Sequence, residues 1–509
     1  MPFKIAFIGA GSIGFTRMLL RDLLSVPAFS TIEVAFTDIN QENLQMVTQL
    51  CQRDINENGL PIQIHATLDR REALTGARYI FNVARVGGLE AFEQDIDIPL
   101  RYGIDQCVGD TLSAGGIMYG QRGIHEMLAI CEDIRDVAEQ DCLLLNYANP
   151  MAMLTWASNH YGGVNTVGLC HGVQGGHRQI ADVFGLQPEE VDIVCAGINH
   201  QTWYIQIKHD GKDLTGMLLE AFENHPEYSK TEKVRIDMLK RFGYYSTESN
   251  GHLSEYVPWY RKRQEEIGDW IDLGTWINGE TGGYLRVCKE GRNWFKEDFP
   301  NWINEPAFVF AESERGQEHG SYIVEALETG RIYRGHFNVV NQNVISNLPS
   351  DCIIEAPGYV DRNGINMPVI GDLPIGCAAV CNVSINVQRL AVEAAVTGDD
   401  QLLRQAFMMD PLTGAVCTPP EIWQLVDDML IAQEKWLPQY KTSIAEAKQR
   451  QQTQQRLATK DTSGAARLKT KTVAEMKENR AEAMKNASQA DKAMKRPAAE
   501  QRVFHSANE

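Results

Sequence analysis

The sequence predicts an α/β protein, a doubly wound parallel sheet of Rossmann-like type with an intimately packed α+β domain. Three observations predict it. An apolar run, Lys4-Ile5-Ala6-Phe7-Ile8, opens straight into Gly9-Ala10-Gly11-Ser12-Ile13-Gly14 and a helix-like stretch from Phe15 to Leu24. Strand-like and helix-like runs alternate from there to about residue 200, the rhythm of βαβ units. From about Val191 to Pro438 the pattern is mixed, with strands near residues 192–195 and 203–207 among several helices.

In the opening Gly-x-Gly-x-x-Gly, Gly9 allows a tight turn, Gly11 lets the backbone approach a pyrophosphate, and Gly14 lets helix and strand pack closely. Phosphates then sit at the helix N-terminus, beside Ser12. The second strand, residues 31–37, ends at Asp38, where a carboxylate accepts hydrogen bonds from a ribose diol and disfavours a 2′-phosphate, so NAD is expected rather than NADP. The competing reading of Asp38 is a turn or helix-cap aspartate before Ile39-Asn40-Gln41-Glu42. Further strands are expected at residues 79–84, 142–147 and 166–170, with helices at 124–139 and 151–161 between them. The expected division is a nucleotide domain over residues 1–190, a substrate, metal and oligomerisation domain over 191–440 without a clean linker, and a tail over 441–509.

Composition narrows the function classes. A chain of 509 residues, 43% of them hydrophobic, can bury large cores. A net charge of -19 argues against a nucleic-acid or anionic-membrane partner. No apolar run reads as long enough to span a membrane and no signal-peptide pattern precedes the first strand, so a cytoplasmic location is expected. Eleven scattered cysteines without CxxC pairs read as reduced core residues, one excepted. The tail is rich in Gln, Lys, Ala and Arg, with 15 basic against 8 acidic residues, and reads as disordered or loosely helical, a solvated appendage rather than a binding arm for an anionic partner.

The chemistry lies in polar residues that close apolar runs, because ligands of open α/β sheets collect beyond the carboxyl ends of the strands. Four segments qualify: Gly109-Asp110-Thr111, Asn146-Tyr147-Ala148-Asn149-Pro150, Cys170-His171-Gly172, and Gly197-Ile198-Asn199-His200. Cys170 and His200 together offer a thiolate and an imidazole, which suits a borderline divalent transition metal and leaves positions open for substrate and water. From spacing alone that signal is poor: a cysteine ending a strand is more often core, and a lone histidine a satisfied polar residue.

In this order the segments resemble glycoside hydrolase family 4, the NAD- and manganese-dependent glycosidases, from the N-terminus to about Pro438. The resemblance also rests on Thr247-Glu248-Ser249, Glu255-Tyr256-Val257-Pro258-Trp259, Ser384-Ile385-Asn386-Val387-Gln388 and Met408-Met409-Asp410-Pro411. It is nearest to the bacterial α-galactosidase (melibiase) branch, with α-galacturonidases as neighbours. It implies a lactate/malate dehydrogenase-like architecture and a homodimer or homotetramer. It also implies hydrolysis of α-galactosides by NAD-mediated oxidation at C3, deprotonation at C2, elimination of the aglycone and addition of water, with a divalent ion, usually Mn2+, stabilising O2 and O3.

Carried over residue by residue, the resemblance implies Cys170 and His200 as metal ligands, Asn149 as a substrate-binding residue with Asn146 shaping the same pocket, and His171 as the acid that assists the aglycone. An imidazole titrates near physiological pH and suits that work; the competing reading of His171 is an orienting hydrogen-bonder. For the C2 base Tyr256 is the first choice and His252 the competitor, while Tyr256 reads equally well as pocket wall beside Pro258 and Trp259. Phospho-sugar members carry Asp or Asn after the metal cysteine and a basic residue where Phe92 stands, so His171 and Phe92 point to an unphosphorylated sugar. Arg85 or Arg315 is open as a partner for a galacturonide carboxylate. Two other classes share the nucleotide pattern: a dehydrogenase, which would release NADH with product, and an NAD-binding regulatory protein, which would need neither Cys170, His200 nor Asn149.

Overall fold

The computed structural model describes residues 3–272, 279–460, 462–465 and 467–481. Its strands are β1 (Lys4–Ile8), β2 (Glu33–Thr37), β3 (Ile64–Thr67), β4 (Ala77–Asn82), β5 (Leu143–Asn146), β6 (Thr166–Gly168), β7 (Asp192–Ile198), β8 (Gln201–His209), β9 (Lys212–Asp213), β10 (Tyr333–Val340), β11 (Ile353–Asp361) and β12 (Gly364–Asn366). They form one sheet in the order β3-β2-β1-β4-β5-β6-β10-β11-β7-β8-β9, with β12 paired to β11. The first six strands are all parallel, in the dinucleotide-binding order whose direction of winding reverses between β1 and β4.

Side chains alternate across this sheet as the strand period requires. Ala6 and Ile8 pack into one core with the helices Ser113–Val137 and Ile375–Thr397, while Ile5 and Phe7 pack into a second core with Phe36, Phe81 and Leu145 on the other face. Burial on both faces explains why these strands read as continuous apolar runs. β3 escaped the sequence reading because only Ile64 of its four residues is buried. β10 and β11 escaped it because their buried positions include His336, Asn338 and Glu355, which break the apolar pattern.

The second part does not build a sheet of its own. β10 runs antiparallel to β6 with Asn338 opposite Gly168, β11 places Glu355 opposite Asn338, and β7 places Gly197 opposite Glu355. One row of four residues, on four strands drawn from both parts of the chain, therefore crosses the seam. It sets Leu169-Cys170, just past the end of β6, beside Ile198-Asn199-His200, at the end of β7.

Two sequence expectations need correction. The helix Ile375–Thr397 is long and apolar enough to cross a membrane by length and composition, against the reading that no run reaches that length. Half of its apolar window is buried within the protein, and Cys381, Ile385 and Val392 lie in the same core as the helix Ser113–Val137. The stretch from residue 441 is also not a free appendage over its first forty residues. The helix Lys441–Thr453 buries Ile444 and Ala447, and Arg450 donates twice to Asp427, which also accepts from Arg404. Beyond it the chain runs over the body as a strap that turns helical at residues 473–481: Lys460 N donates to Arg101 O, Ala465 N to Asp105 Oδ2, and Lys471 N to Glu290 Oε1, and Lys477 pairs with Asp298. Composition concealed this because the strap buries few apolar side chains, Val473 among them, and docks otherwise by backbone amides and basic side chains on acidic partners.

A chain ending at residue 440 should therefore unfold more easily than the full chain. Ile444→Ala alone is expected to cost about 2–4 kcal/mol in chemical denaturation, from lost burial and the cavity left behind, and the truncation at least as much. An unchanged midpoint for the truncated chain would show that the strap contributes nothing to the body.

Candidate active site

A cleft of about 1510 Å³ follows the carboxyl ends of the parallel strands, where the order reverses. Gly9, Gly11, Ser12, Gly14 and Asp38 line one end; Asp110, Asn149, Cys170, His171, His200, Glu248 and His252 line the other.

At the first end the glycines are required by contact. Gly9 has φ +79°, and a Cβ there would fall 2.6 Å from Ala84 Cα; a Cβ on Gly11 would fall 2.8 Å from Asp38 Oδ2. Asp38 accepts from Gly11 N at 2.9 Å and from Asn40 N at 2.7 Å. Burial pushes its carboxyl up, and the amides of Asn40 and Gly11 oppose that. The helix Gln41–Glu57 is capped by Asn40, whose side chain accepts from Asn43 N, so Asp38 is a turn residue but not that cap. The helix Phe15–Leu24 begins at Gly14 with no side-chain cap and no acidic residue in its first turn. Its leading amides and positive dipole end thus face the glycine loop without a competing carboxylate, the arrangement that receives a phosphate. These residues fit a dinucleotide.

At the second end the seam brings Cys170 and His200 together with Glu248. One donor atom from each lies within 4.8 Å of the others. Cys170 Sγ stands 3.5 Å from Glu248 Oε1, and His200 Nε2 stands 3.8 Å from the same oxygen. The other ring nitrogen, Nδ1, is held by Thr111 Oγ1 at 2.9 Å and Tyr256 OH at 3.3 Å, which turns Nε2 toward Glu248. Burial, reinforced by Glu248, holds the Cys170 thiol well above its ordinary pKa. Glu248 sits at about 2: burial alone would raise it, and the facing imidazoles of His200, His252 and His171 outweigh that. His200 and Glu248 both have positive φ, +62° and +69°, which costs residues other than glycine on the order of 1–3 kcal/mol each. A thiol, an imidazole and a carboxylate suit a borderline transition ion, so this donor set fits a divalent metal.

The remaining residues divide clearly. Asn149 Nδ2 donates to Asp110 Oδ2 at 3.1 Å and the side chain lines the cleft. Asn146 does not line it: fully buried, it accepts from Asn82 Nδ2 and Ala148 N and donates to Ala148 O, fixing the turn that carries Asn149. His171 lines the cleft with Nδ1 3.1 Å from Glu318 Oε1. His252 lines it with Nδ1 2.8 Å from Ser249 Oγ. Tyr256, the first choice for a base, is 1% exposed and absent from the cleft wall; its hydroxyl faces His200 Nδ1, and burial, then Glu255, pushes it well above the ordinary tyrosine range. Arg315 pairs with Glu325 under Tyr322, away from the cleft, which removes it as a carboxylate partner. Arg85 lies over Phe92, Tyr119 and Tyr284 and 3.7 Å from Asp110.

Sequence reasoning quoted Glu248 and Asp110 only as parts of matching segments and missed Glu318 entirely. Glu318 comes from the start of the helix His319–Thr329, 147 residues beyond His171, so no local pattern announces it.

Two family models match the chain: Family 4 glycosyl hydrolase over residues 4–186, and the Family 4 glycosyl hydrolase C-terminal domain over residues 195–413. An alpha-galactosidase of Rhizobium meliloti is 56% identical over 476 residues, 93% of this chain and 97% of that protein. An alpha-galactosidase of Bacillus subtilis is 35% identical over 443 residues, 86% of this chain and 100% of that protein. The crystal structure of a 6-phospho-beta-glucosidase from Thermotoga maritima with manganese, NAD+ and glucose-6-phosphate superposes with a TM-score of 0.70 at 21% identity, covering 85% of this chain and 99% of that one, a likeness of fold.

Gly11→Ala should weaken NAD+ binding at least tenfold in calorimetry without unfolding the protein, because the methyl group displaces the Asp38 carboxylate. Wild-type affinity in that variant would contradict the assignment of this loop.

Proposed function

The chain belongs to family 4 of the glycosyl hydrolases, and from that premise we propose that it is an α-galactosidase acting on unphosphorylated, melibiose-like α-galactosides with NAD and a divalent ion, manganese first. The observation that carries the reading is that a dinucleotide loop and a thiol–imidazole pair open into one cleft, in a chain 56% identical to an alpha-galactosidase along nearly its whole length. A dehydrogenase would release NADH in proportion to product, and an NAD-binding regulatory protein has no use for Cys170, His200 and Asn149.

Gly9, Gly11, Ser12, Gly14 and Asp38 would hold the NAD, and Cys170 and His200 the metal ion. When bound, the nucleotide supplies reversible oxidation at the sugar's C3 and the ion supplies Lewis-acid stabilisation at O2 and O3. The chain's own side chains do the rest. Asn149, its amide nitrogen engaged by Asp110, presents Oδ1 to accept a sugar hydroxyl. His171, with Nδ1 on Glu318, delivers a proton from Nε2 to the departing glycosidic oxygen. His252, its Nδ1 held 2.8 Å from Ser249 Oγ, lines the cleft as the base that takes the proton from C2. Tyr256 acts through His200, fixing the ring from behind with Thr111, rather than on the sugar. Phe92 is 1% exposed beneath Arg85 and offers no cation to a 6-phosphate, in keeping with an unphosphorylated substrate.

Hydrolysis of p-nitrophenyl α-galactoside should require both NAD+ and Mn2+, with no NADH accumulating as product forms. Turnover that ignores both would sink the reading; faster turnover of an α-galacturonide or a 6-phosphoglucoside would move the substrate class.

His171→Ala should lose on the order of 10²–10⁴-fold in kcat on melibiose, whose leaving group needs a proton. On p-nitrophenyl α-galactoside, whose leaving group departs as a stable anion, the loss should be under tenfold. Equal losses on the two substrates would remove His171 from the acid role.

A further inference from the structure

We infer that Glu248 is a third protein ligand of the metal ion, closing the two-residue Cys170–His200 site into a thiolate–imidazole–carboxylate triad. The inference rests on the metal-dependent reading above and concerns a residue that the match of segments left without a role.

The first argument is charge. Glu248 lines the cleft with its side chain 13% exposed, and among the described residues its ion-pair neighbours are two imidazoles, His200 and His252, with no lysine or arginine. A largely enclosed carboxylate facing a thiol is stabilised by a cation placed between them. A divalent ion balances one thiolate and one carboxylate with no charge left over. The second argument is geometry. Metal–donor distances of about 2.0–2.3 Å put neighbouring ligand atoms roughly 3.0–3.7 Å apart around a common centre. The contacts of Glu248 Oε1 with Cys170 Sγ, 3.5 Å, and with His200 Nε2, 3.8 Å, lie at or close to that spacing.

The third argument is that the backbone has been bent to put the carboxylate there. Glu248 and His200 face each other from left-handed conformations. A Cβ on Gly172 would collide with Glu248 Oε1, so the glycine after Cys170-His171 makes the room that the carboxylate occupies. Strain held at two residues and a cleared space at a third, all meeting at one oxygen, mark a functional constraint rather than packing.

A rival triad, Asp110, His200 and His252, also has the spacing for an ion. Asp110 is already engaged: Thr111 Oγ1 and Asn149 Nδ2 donate to it, and Arg85 lies 3.7 Å away. Its charge is met by a guanidinium, whereas Glu248 faces only imidazoles and a thiol, groups that can themselves ligate an ion.

The test is Mn2+ binding to the purified, metal-stripped full chain, read from the electron paramagnetic resonance of free Mn2+. Wild type, Glu248→Gln, Gly172→Ala and Cys170→Ser are compared, with NAD+ affinity as the check on folding. Glu248→Gln is expected to bind Mn2+ at least tenfold more weakly at unchanged NAD+ affinity. Gly172→Ala, which keeps the charge and displaces the carboxylate, is expected to weaken Mn2+ in the same direction. Co2+ bound to wild type should show a thiolate charge-transfer band that shifts in Glu248→Gln. Mn2+ affinity within twofold of wild type in both variants overturns the ligand assignment, and if turnover is still lost the carboxylate acts on the sugar instead. Wild type that binds no Mn2+ overturns the metal-dependent reading itself, a result distinct from equal binding in wild type and variants.

Discussion

The site depends on the row Gly168, Asn338, Glu355 and Gly197, which stitches two parts of the chain into one sheet. A parallel nucleotide-binding sheet normally ends at its sixth strand. Here β6 takes on β10 as an antiparallel neighbour, and the register of that one junction decides which residue of β7 stands level with the end of β6. A shift of one residue would turn every side chain of the added strands to the other face and part His200 from Cys170. The polar members of the row are buried, and burial raises the Glu355 carboxyl to about 8, which favours the neutral acid at the seam. Asn199 donates to it from the residue next to His200. The row that sets the register therefore also grips the turn that carries the imidazole.

From this follows the placement of two chemistries in one cleft. Redox work on a sugar carbon and Lewis-acid work on its neighbouring oxygens must act within a few ångströms of each other, and misplacement by about 1 Å can cost two orders of magnitude in rate. The glycine loop hangs from β1, Asp38 from β2, Asn149 from β5, Cys170 from β6 and His200 from β7. All are carried on strands of one sheet, which joins the nucleotide end and the metal end through continuous strand pairing. Side chains behind the cleft complete the fixing: Asn146 ties the turn bearing Asn149, Glu318 holds His171, and Thr111 with Tyr256 holds His200.

Much of this was legible in the residues, and what was not has a physical reason. The first strand, its glycines and Asp38 are local, a strand–turn–helix written in consecutive residues. Cys170, His200, Asn149 and His171 close apolar runs, and the strand-end rule finds such positions. For Tyr256 a motif shows that a tyrosine is near His200 but not on which side of the ring it stands; the fold puts its hydroxyl at Nδ1. Glu248 and Glu318 were unreadable as partners because they meet Cys170 and His171 across 78 and 147 residues of chain, respectively. The same limit hid β10 and β11, whose buried polar residues serve the seam and so spoil the apolar pattern that identifies a strand.

The basic tail shows how composition needs its context: its described residues to 481 dock on the body, while residues 482–509 lie outside the described residues. Its 15 basic and 8 acidic residues leave 33 basic and 59 acidic residues in the first 440 positions, so the body is far more acidic than the whole chain suggests. Taken alone, a basic, apolar-poor segment has nothing to fold with, which favours a solvated appendage. Taken with the body, it has a partner in its own chain. Asp97, Asp298, Asp427 and Asp428 receive Arg467, Lys477, Arg450 and Arg456 in turn. Exposed pairs of this kind contribute little one by one. The strap adds backbone amides on Asp105 and Glu290 and the buried side chains of Ile444 and Val473, so the ion pairs fix its path while burial and amide hydrogen bonds supply its hold. Charge asymmetry between body and tail thus marks an intramolecular contact, one that ends on the cleft wall where Lys471, Met476 and Arg480 stand.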